Sequence, residues 1–363
     1  MSRDPTPSLL DPIRLGALAA RNRVLMAPLT RARATRDHVP TPMMVEYYAQ
    51  RASAGLIIAE ATGISAQGLG WPYAPGIWSE AQVEAWKPVT AAVHAAGGLI
   101  VSQLWHMGRV VHPSLPGRGQ PVSSSATTMP GLARTYEGKA PHVEARAVTE
   151  DDIAAILDDY RRAARNAIEA GFDGVQIHAA NGYFIDQFLR DNANFRTDRW
   201  GGSVENRIRL LREVTAAVAG TVGADRTGVR LSPNEERQGV NDSNPEPLFE
   251  AAAAALSEIG IAFLEVREPG YDGTNGKAER PPVAPRMRAA FRGAFVLNSD
   301  YDGAKGQAAL DAGTADAIAF GRPFIANPDL PRRIAHGLPL SADDTETWYV
   351  GGAKGYVDYP PAA

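Results

Sequence analysis

Short apolar runs alternate with longer amphipathic segments along most of the chain. Eight runs rich in Val, Ile and Leu have the length of strands, at residues 24–29, 56–60, 99–104, 174–178, 228–231, 263–266, 294–298 and 317–321. Amphipathic segments with a helical period lie between them, at residues 80–96, 151–170, 204–219, 247–259 and 304–312. Near-continuous apolar strands separated by helices are typical of a parallel sheet that is covered on both faces. Eight such units predict an α/β fold, a single (β/α)8 TIM barrel.

One connection is too long for an ordinary barrel loop. Residues 109–148, after the third predicted strand, are rich in Gly, Pro, Ser and Thr. Loops of this length usually cover a site, and this one leaves the strand end at which barrel enzymes carry out their chemistry. We therefore expect residues 1–363 to form one domain, with 109–148 as a long capping insertion over the active-site face. Residues 268–282 form a second Gly- and Pro-rich loop at this face.

Composition and charge exclude several classes of protein. The chain has no cysteine, which excludes disulfides, thiolate nucleophiles and Cys-ligated metal, and its formal net charge is only −4. We expect no metal site and no nucleic-acid or membrane partner. The polar start lacks the apolar core of a signal peptide, and no apolar stretch is long enough to span a bilayer. The default expectation is a cytoplasmic enzyme.

Polar residues at the ends of the predicted strands identify a candidate site, because strand ends converge in a barrel. Arg230 lies inside an apolar strand, where its charge must meet an anion, a hydrogen-bond acceptor or a carboxylate on a neighbouring strand. His178 and Asn181 can aim two N–H donors at one carbonyl or nitro oxygen, although a His here can also be purely structural. Tyr183 can give a proton to a carbanion, or it can simply pack.

Familiar nucleotide and hydrolase fingerprints are missing. The chain has no G-x-G-x-x-G after a strand, no G-x-x-x-x-G-K-[ST], no H-E-x-x-H and no G-x-S-x-G. Barrels bind phosphate at the loops after strands seven and eight, beside a short extra helix. Gly321 and Arg322, followed by a predicted helix at residues 328–336, fit that arrangement, although a Gly-Arg pair alone is also typical of a plain turn.

Longer motifs carry a resemblance to the Old Yellow Enzyme family. They include HAANGY from His178, NFRTD from Asn194, WGGSVENR from Trp200, QLWHMGR from Gln103 and AFGR from Ala319. With NRV from Asn22, MAPLT from Met26, QRA from Gln50, GLII from Gly55, EAT from Glu60, QFL from Gln187 and NPDL from Asn327, they appear in the family's order from about residue 10 to 360. Within the family the chain is similar to the bacterial N-ethylmaleimide, nitrate-ester and 2-cyclohexenone reductases.

The resemblance implies a non-covalent FMN, with NADPH as reductant. It implies that the cofactor is bordered or bound by Pro28, Leu29, Thr30, Ala61, Gln103, His178, Arg230, Ser299, Gly321 and Arg322. Gln103 and Arg230 would hydrogen-bond the pyrimidine side, and Ser299, Gly321 and Arg322 would hold the phosphate. Ser299 and Asp300 stand where many relatives have glycines, so Asp300 must point away from a phosphate dianion.

The resemblance also implies the catalytic residues and the substrate pocket. His178 and Asn181 would hold the activating oxygen of the substrate, and Tyr183 would donate the proton. Four aromatic side chains would wall the pocket, namely Trp71, Trp105, Tyr271 and Tyr356.

The implied reaction is the reduction of electron-poor alkenes, such as α,β-unsaturated carbonyls, maleimides and nitroalkenes, with nitrate esters as a further class. It follows ping-pong hydride transfer from flavin N5, with trans protonation. A small-molecule enone or nitro substrate is the expected partner, and the protein would be a monomer or a homodimer. Two alternatives stay open at this point: a phosphosugar lyase or isomerase on the same barrel, and a flavin-binding sensor or storage protein.

Overall fold

Eight parallel strands close into one barrel in the computed structural model, which describes residues 7–115, 117, 119–349 and 351–362. Each strand lies beside its neighbours along the chain, and the eighth pairs with the first. The barrel strands are Val24–Met26, Ile57–Gly63, Ile100–Trp105, Gly174–His178, Thr227–Leu231, Phe263–Arg267, Ala294–Asn298 and Ala317–Phe320. The predicted (β/α)8 TIM barrel is confirmed. The one-domain prediction for residues 1–363 also includes residues 1–6, 116, 118, 350 and 363, which lie outside the described residues.

The barrel strands are buried on both faces. Every strand residue except Ala294 is buried, because one face fills the barrel interior and the other packs against the helices. This two-sided burial explains why the strands read as continuous apolar runs. The second strand continues to Gly63, past the predicted end at residue 60, and its register with the third strand shifts between Ile58 and Ala61.

The outer layer consists of eight helices in the part of the chain that is described. They are Pro42–Gln50, Glu80–Ala95, Glu150–Glu169, Arg209–Val222, Pro245–Ile259, Ala284–Ala290, Gly303–Asp311 and Leu330–His336. Shorter helical segments add Phe184–Leu189, Val204–Arg207, Arg322–Ala326 and the 3-10 turns Gly108–Val110, Ala224–Arg226 and Thr345–Thr347. The two longest helices begin with complete capping boxes, at Ser79 with Gln82 and at Thr149 with Asp152.

A small hairpin closes the amino end of the barrel. Its strands Ile13–Leu15 and Leu18–Ala20 pair antiparallel, and Leu15 and Leu18 join the apolar cluster of the barrel interior. Gly16 in the turn has a φ of 61°, and a Cβ there would lie 2.3 Å from the carbonyl oxygen of Asp225. The turn therefore requires glycine, and the carboxyl end of the barrel is left to form the site.

The insertion at residues 109–148 covers the carboxyl end of the barrel, as predicted. It contains a parallel pair, Val122–Ser123 with Arg146–Ala147, and a hairpin, Leu132–Thr135 with Gly138–Pro141. The Tyr136 hydroxyl donates to the carbonyl oxygen of Arg36 at 2.9 Å, which ties the hairpin to the loop after the first strand. Among the described helices, none has both the length and the apolarity needed to cross a membrane.

Candidate functional site

A cavity of about 680 Å³ opens at the carboxyl end of the barrel. Fourteen of the sixteen residues that the sequence assigned to the site line this cavity: Pro28, Leu29, Thr30, Ala61, Trp71, Gln103, Trp105, His178, Asn181, Tyr183, Arg230, Ser299, Gly321 and Arg322. Residues that are distant in sequence meet here because parallel strands present their carboxyl ends to one face.

Three aromatic rings form the wall that carries the candidate catalytic groups. The Trp105 and His178 rings lie nearly parallel, with their centroids 6.3 Å apart. The Tyr183 ring stands edge-on to both, at 4.9 Å from each centroid. This packing limits the orientations of the imidazole and the phenol.

The His178 imidazole is held in its neutral form. The backbone N–H of Ala180 donates to Nδ1 at 3.4 Å, so the neutral ring carries its proton on Nε2. Burial lowers the pKa of His178 well below its ordinary value, and the charges of Arg230 and Arg267 lower it further. The ring is therefore a neutral N–H donor at physiological pH.

Asn181 has a left-handed backbone, with a φ of 59°. Asn tolerates this region better than most residues, and the backbone N–H of Asn181 donates to the Ser232 hydroxyl at 2.8 Å. The Arg267 guanidinium lies 3.5 Å from Asn181 Oδ1, which must accept because arginine can only donate. The Nδ2 amide is then the end of this side chain that is able to donate to a bound oxygen.

The turn that presents Tyr183 is fixed by buried polar contacts. Gly182 has a φ of 78°, and its N–H donates to Asp186 at 2.9 Å. Asp186 in turn forms a buried ion pair with Arg190 at 2.7 Å. Burial raises the pKa of Tyr183 to about 12, with Gln238 and Arg237 acting in the opposite direction. The phenol therefore keeps its proton at neutral pH.

A buried chain of hydrogen bonds and one ion pair crosses five strands at the carboxyl end of the barrel. Gln103 Nε2 donates to Gln176 Oε1, and Gln176 Nε2 donates to Glu265 Oε2, each at 2.7 Å. Arg230 Nε lies 3.6 Å from Glu265 Oε1, and Arg230 also donates to Asn298 at 2.8 Å. The sequence left open that Arg230 pairs with a carboxylate on a neighbouring strand, and this ion pair is present. Arg230 lines the cavity as well, and its Nε has no hydrogen-bond partner among the described residues.

The loops after strands seven and eight form a distinct corner of the cavity. Ser299 and Asp300 both have positive φ, 122° and 47°, the conformations for which glycine is usual. Gly321 precedes the short helix Arg322–Ala326. Asp300 lines the cavity and pairs with Arg322 at 2.7 Å. The expectation that Asp300 points away from this corner is wrong, because the Arg322 guanidinium and the Thr274 hydroxyl hold its carboxylate there.

Two of the four predicted aromatic wall residues lie elsewhere. Tyr356 is fully buried beneath the site, where it stacks on Tyr47 at 4.1 Å, and it is absent from the described lining. Tyr271 is 61% exposed on the loop 268–282 and is also absent from it. Trp348 and Tyr349 line the cavity instead, because the Arg31 side chain binds the Trp348 and Gly355 carbonyl oxygens and so fixes the C-terminal segment.

Other residues of the cavity were not predicted from the sequence. Arg267 ends the sixth strand in a buried ion pair with Glu235, and Arg237 and Gln238 follow the fifth strand. Arg267 carried the same signal as Arg230, a charge at the end of an apolar strand. The insertion adds Met129, Leu132, Ala133, Arg134 and His142. No sequence pattern marked these residues individually, since their positions depend on how the hairpin folds over the barrel.

Comparison with known proteins gives a consistent assignment. Residues 8–341 match the model of the NADH:flavin oxidoreductase / NADH oxidase family. An Old Yellow Enzyme homologue from Zymomonas mobilis is 63% identical, with a TM-score of 0.97 and coverage of 98% of this chain and 100% of that one. Morphinone reductase in complex with tetrahydroNAD is 45% identical, with a TM-score of 0.92 and coverage of 98% of both chains.

A curated relative from rice supports the same family assignment. A putative 12-oxophytodienoate reductase 11 from Oryza sativa subsp. japonica is 44% identical over 359 residues, which cover 98% of each chain. These matches extend over nearly the whole chain, and they coincide with a cavity at the catalytic end of a closed barrel. The chain therefore belongs to the NADH:flavin oxidoreductase / NADH oxidase family and is a flavin oxidoreductase of the Old Yellow Enzyme type.

Proposed function

We propose that the protein is an NADPH-driven, FMN-dependent ene-reductase. Its substrates are electron-poor alkenes, namely α,β-unsaturated carbonyls, maleimides and nitroalkenes, with nitrate esters as a further class. The observation that carries this proposal is the convergence of two neutral N–H donors, from His178 and Asn181, with the Tyr183 phenol in one cavity. The names of two similar proteins, a 12-oxophytodienoate reductase and a morphinone reductase, agree with a reductase of small molecules.

The residues of the cavity fit FMN. When bound, FMN accepts a hydride equivalent from a nicotinamide coenzyme and supplies it to the alkene. The Arg230 guanidinium lines the cavity; its Nε faces Glu265 and one N–H goes to Asn298, so further N–H donors remain for an acceptor on a planar heterocycle. Pro28, Leu29, Thr30 and Ala61 border the same space, and Gln103 would contribute a further polar contact. Ser299, Gly321 and Arg322 would hold the phosphate, since a positively charged guanidinium and backbone N–H groups suit an anion.

His178 and Asn181 would bind the carbonyl or nitro oxygen of the substrate. Negative charge develops on that oxygen only as the alkene is reduced, so two fixed donors stabilise the transition state more than the ground state. Because His178 Nε2 is a neutral donor, it holds the oxygen without transferring its own proton. This division of roles leaves protonation to another group.

Tyr183 would supply the proton to the α-carbon. Its pKa of about 12 keeps the phenol protonated, and the carbanion character of the substrate makes transfer favourable at the moment of reaction. Trp71 and Trp105 would wall the substrate together with Tyr349, which takes the place predicted for Tyr356.

Anaerobic mixing of the FMN-loaded protein with each nicotinamide tests the proposal. NADPH should bleach the flavin absorbance faster than NADH, and adding 2-cyclohexenone should restore the absorbance with formation of the saturated ketone. A nitroalkene should behave in the same way. If the coenzyme bleaches the flavin but neither alkene restores it, the protein is not an ene-reductase. A protein that binds FMN but is not bleached by either coenzyme would instead be a flavin-binding sensor or storage protein.

A further inference from the structure

A carboxylate lies in the corner of the cavity where the proposed function needs positive charge. Asp300 follows Ser299 directly, and its side chain is 20% exposed. The carboxylate pairs with Arg322 at 2.7 Å, and it lies on the cavity lining together with Arg322 and Gly321. The cation expected to meet a flavin phosphate is therefore already engaged by an acidic side chain of the same chain.

The contacts of Asp300 form a closed triangle. The backbone N–H of Thr274 donates to Asp300 Oδ2 at 3.1 Å, and the Thr274 hydroxyl donates to Oδ1. Arg322 donates to both the Asp300 carboxylate and the Thr274 hydroxyl. These contacts join the loop 268–282 to the start of the helix Arg322–Ala326.

Asp300 keeps its negative charge at neutral pH. Burial alone would raise the pKa of Asp300, but the hydrogen bonds from Thr274 and the charge of Arg322 lower it below its ordinary value. A phosphate that approached Arg322 would therefore meet a second anion bound to the same guanidinium. Like charges at this range repel, and one guanidinium cannot give its full set of hydrogen bonds to both.

We propose that Asp300 competes with the flavin phosphate for Arg322, so that it weakens the binding of FMN while leaving the binding of riboflavin unchanged. The inference rests on the proposed cofactor, because only a phosphate-bearing flavin meets this carboxylate. Asp300 is thus a specificity-determining residue that reduces the protein's preference for the phosphorylated form.

The backbone allows a clean test. Asp300 has a φ of 47°, a conformation that Asn and Gly adopt readily, so Asp300→Asn and Asp300→Gly remove the charge without forcing the loop to rearrange. Asp302 is the matched control. It caps the helix Gly303–Asp311 by accepting from the Lys305 N–H at 2.8 Å, it does not line the described cavity, and Asn caps a helix equally well.

The experiment is titration of the flavin-free protein with FMN and with riboflavin, followed by quenching of flavin fluorescence. Asp300→Asn should lower the Kd for FMN on the order of tenfold and leave the Kd for riboflavin unchanged. Asp300→Gly should do the same, while Asp302→Asn, with the same change in net charge, should alter neither Kd.

Three outcomes overturn the inference: an unchanged or weakened FMN affinity in both Asp300 variants, an equal shift for both flavins, or the same FMN shift in Asp302→Asn. Failure of the cofactor assignment has a different signature, because the wild-type protein would then bind neither flavin. If one Asp300 variant fails to fold, the ratio of the FMN Kd to the riboflavin Kd in the other variant decides the question.

Discussion

At the scale of single residues, Tyr183 has the most separable role. In the proposed reaction it acts only in proton transfer, so Tyr183→Phe should slow enone reduction by roughly 10²–10⁴-fold, the range typical of general acid catalysis. The ring still packs edge-on against Trp105 and His178, so flavin bleaching by NADPH should stay close to wild type. Nitroalkenes should be nearly unaffected, because a nitronate is stable enough to leave and gain its proton from water.

Stopped-flow traces of this variant with one enone and one nitroalkene would show the split. If both substrates slow together, or neither slows, Tyr183 is not the proton donor and its hydroxyl serves packing or binding alone.

The second residue-scale prediction concerns Asn181. Its φ of 59° allows Asn181→Gly to remove the amide donor without backbone strain, and loss of one such donor should raise the barrier to enone reduction by about 2.7–4 kcal/mol. Asn181→His restores an N–H donor at a position where His also tolerates this backbone, and it should recover much of the rate. The ratio of kcat values for the two variants is the measurement. If both variants reduce the enone at the same rate, an N–H donor at this position does not contribute to catalysis, and Asn181 has a structural role.

Residue identity alone could not tell which C-terminal aromatic faces the cavity. Tyr349 and Tyr356 are seven positions apart, and the described residues between them contain no regular helix or strand, so no periodicity relates their orientations. The choice is made by tertiary contacts, since the Arg31 and Arg33 guanidinium carbons lie 5.2 and 4.7 Å from the Tyr356 ring centroid and hold the ring beneath the site. His178, Arg230 and the other strand-end residues were predictable because the barrel itself brings strand ends together.

At the scale of elements, the apolar pattern predicted all eight barrel strands but not their exact ends. The second strand is longer than predicted because its pairing with the third strand resumes at Ala61 after the register shift and continues through Thr62 and Gly63. The predicted helix at 204–219 is interrupted at Ile208, and the helices Pro42–Gln50 and Ala284–Ala290 were not predicted. Both of these helices are short and have Pro near their amino end, so their helical period is weak in the sequence.

The C-terminal segment depends on the stack between Tyr356 and Tyr47, which lie parallel at 4.1 Å. Tyr356→Ala should lower the free energy of unfolding by about 3–5 kcal/mol, as for other large aromatic residues removed from a core. Tyr356→Phe is the control: the Tyr356 hydroxyl is buried without a partner in the described chain, so its loss should change stability by less than about 1 kcal/mol. Urea denaturation of both variants gives the comparison, and similar losses in both would mean that the hydroxyl has a partner.

The second strand carries a buried acid whose titration should affect stability. Glu60 accepts from the Tyr48 hydroxyl at 3.1 Å and from the Arg31 backbone N–H at 3.3 Å, and burial raises its pKa from 4.5 to about 7. Between these two values the folded state holds a proton that the unfolded state has lost, so the free energy of unfolding should fall as the pH rises. The wild type should lose roughly 2 kcal/mol relative to Glu60→Gln between about pH 5 and about pH 8.

Urea denaturation at the two pH values measures this difference. Glu46→Gln, which changes an exposed carboxylate on the helix that carries Tyr48, should show the wild-type slope. A wild-type slope in Glu60→Gln as well would place the titration elsewhere in the molecule.

At the scale of the whole molecule, the cavity draws on every strand of the barrel. Each strand contributes a residue at its carboxyl end, or within two positions of that end, to the lining of the cavity; in chain order these residues are Ala27, Ala61, Trp105, His178, Arg230, Arg267, Asn298 and Phe320. The amino end is closed by the small hairpin and the interior by apolar side chains, so the polar residues of the strands are concentrated at one end. A ligand bound there contacts elements that are far apart in sequence, and its binding is therefore linked to folding of the whole barrel.

This linkage predicts that FMN stabilises the complete protein. The cavity at the carboxyl end of the barrel, with Arg322 in the corner after strands seven and eight, favours one non-covalent FMN per chain, and free FMN at about 100 times its Kd should raise the free energy of unfolding by about 2.7 kcal/mol. Urea unfolding of the flavin-free protein, with and without added FMN, measures the shift in midpoint.

Heat denaturation of the loaded protein, followed by identification of the released chromophore, measures its identity and amount. Release of FAD, or an unfolding midpoint that FMN does not move, would contradict the cofactor assignment, whereas two FMN per chain would require a second site outside the barrel's carboxyl end.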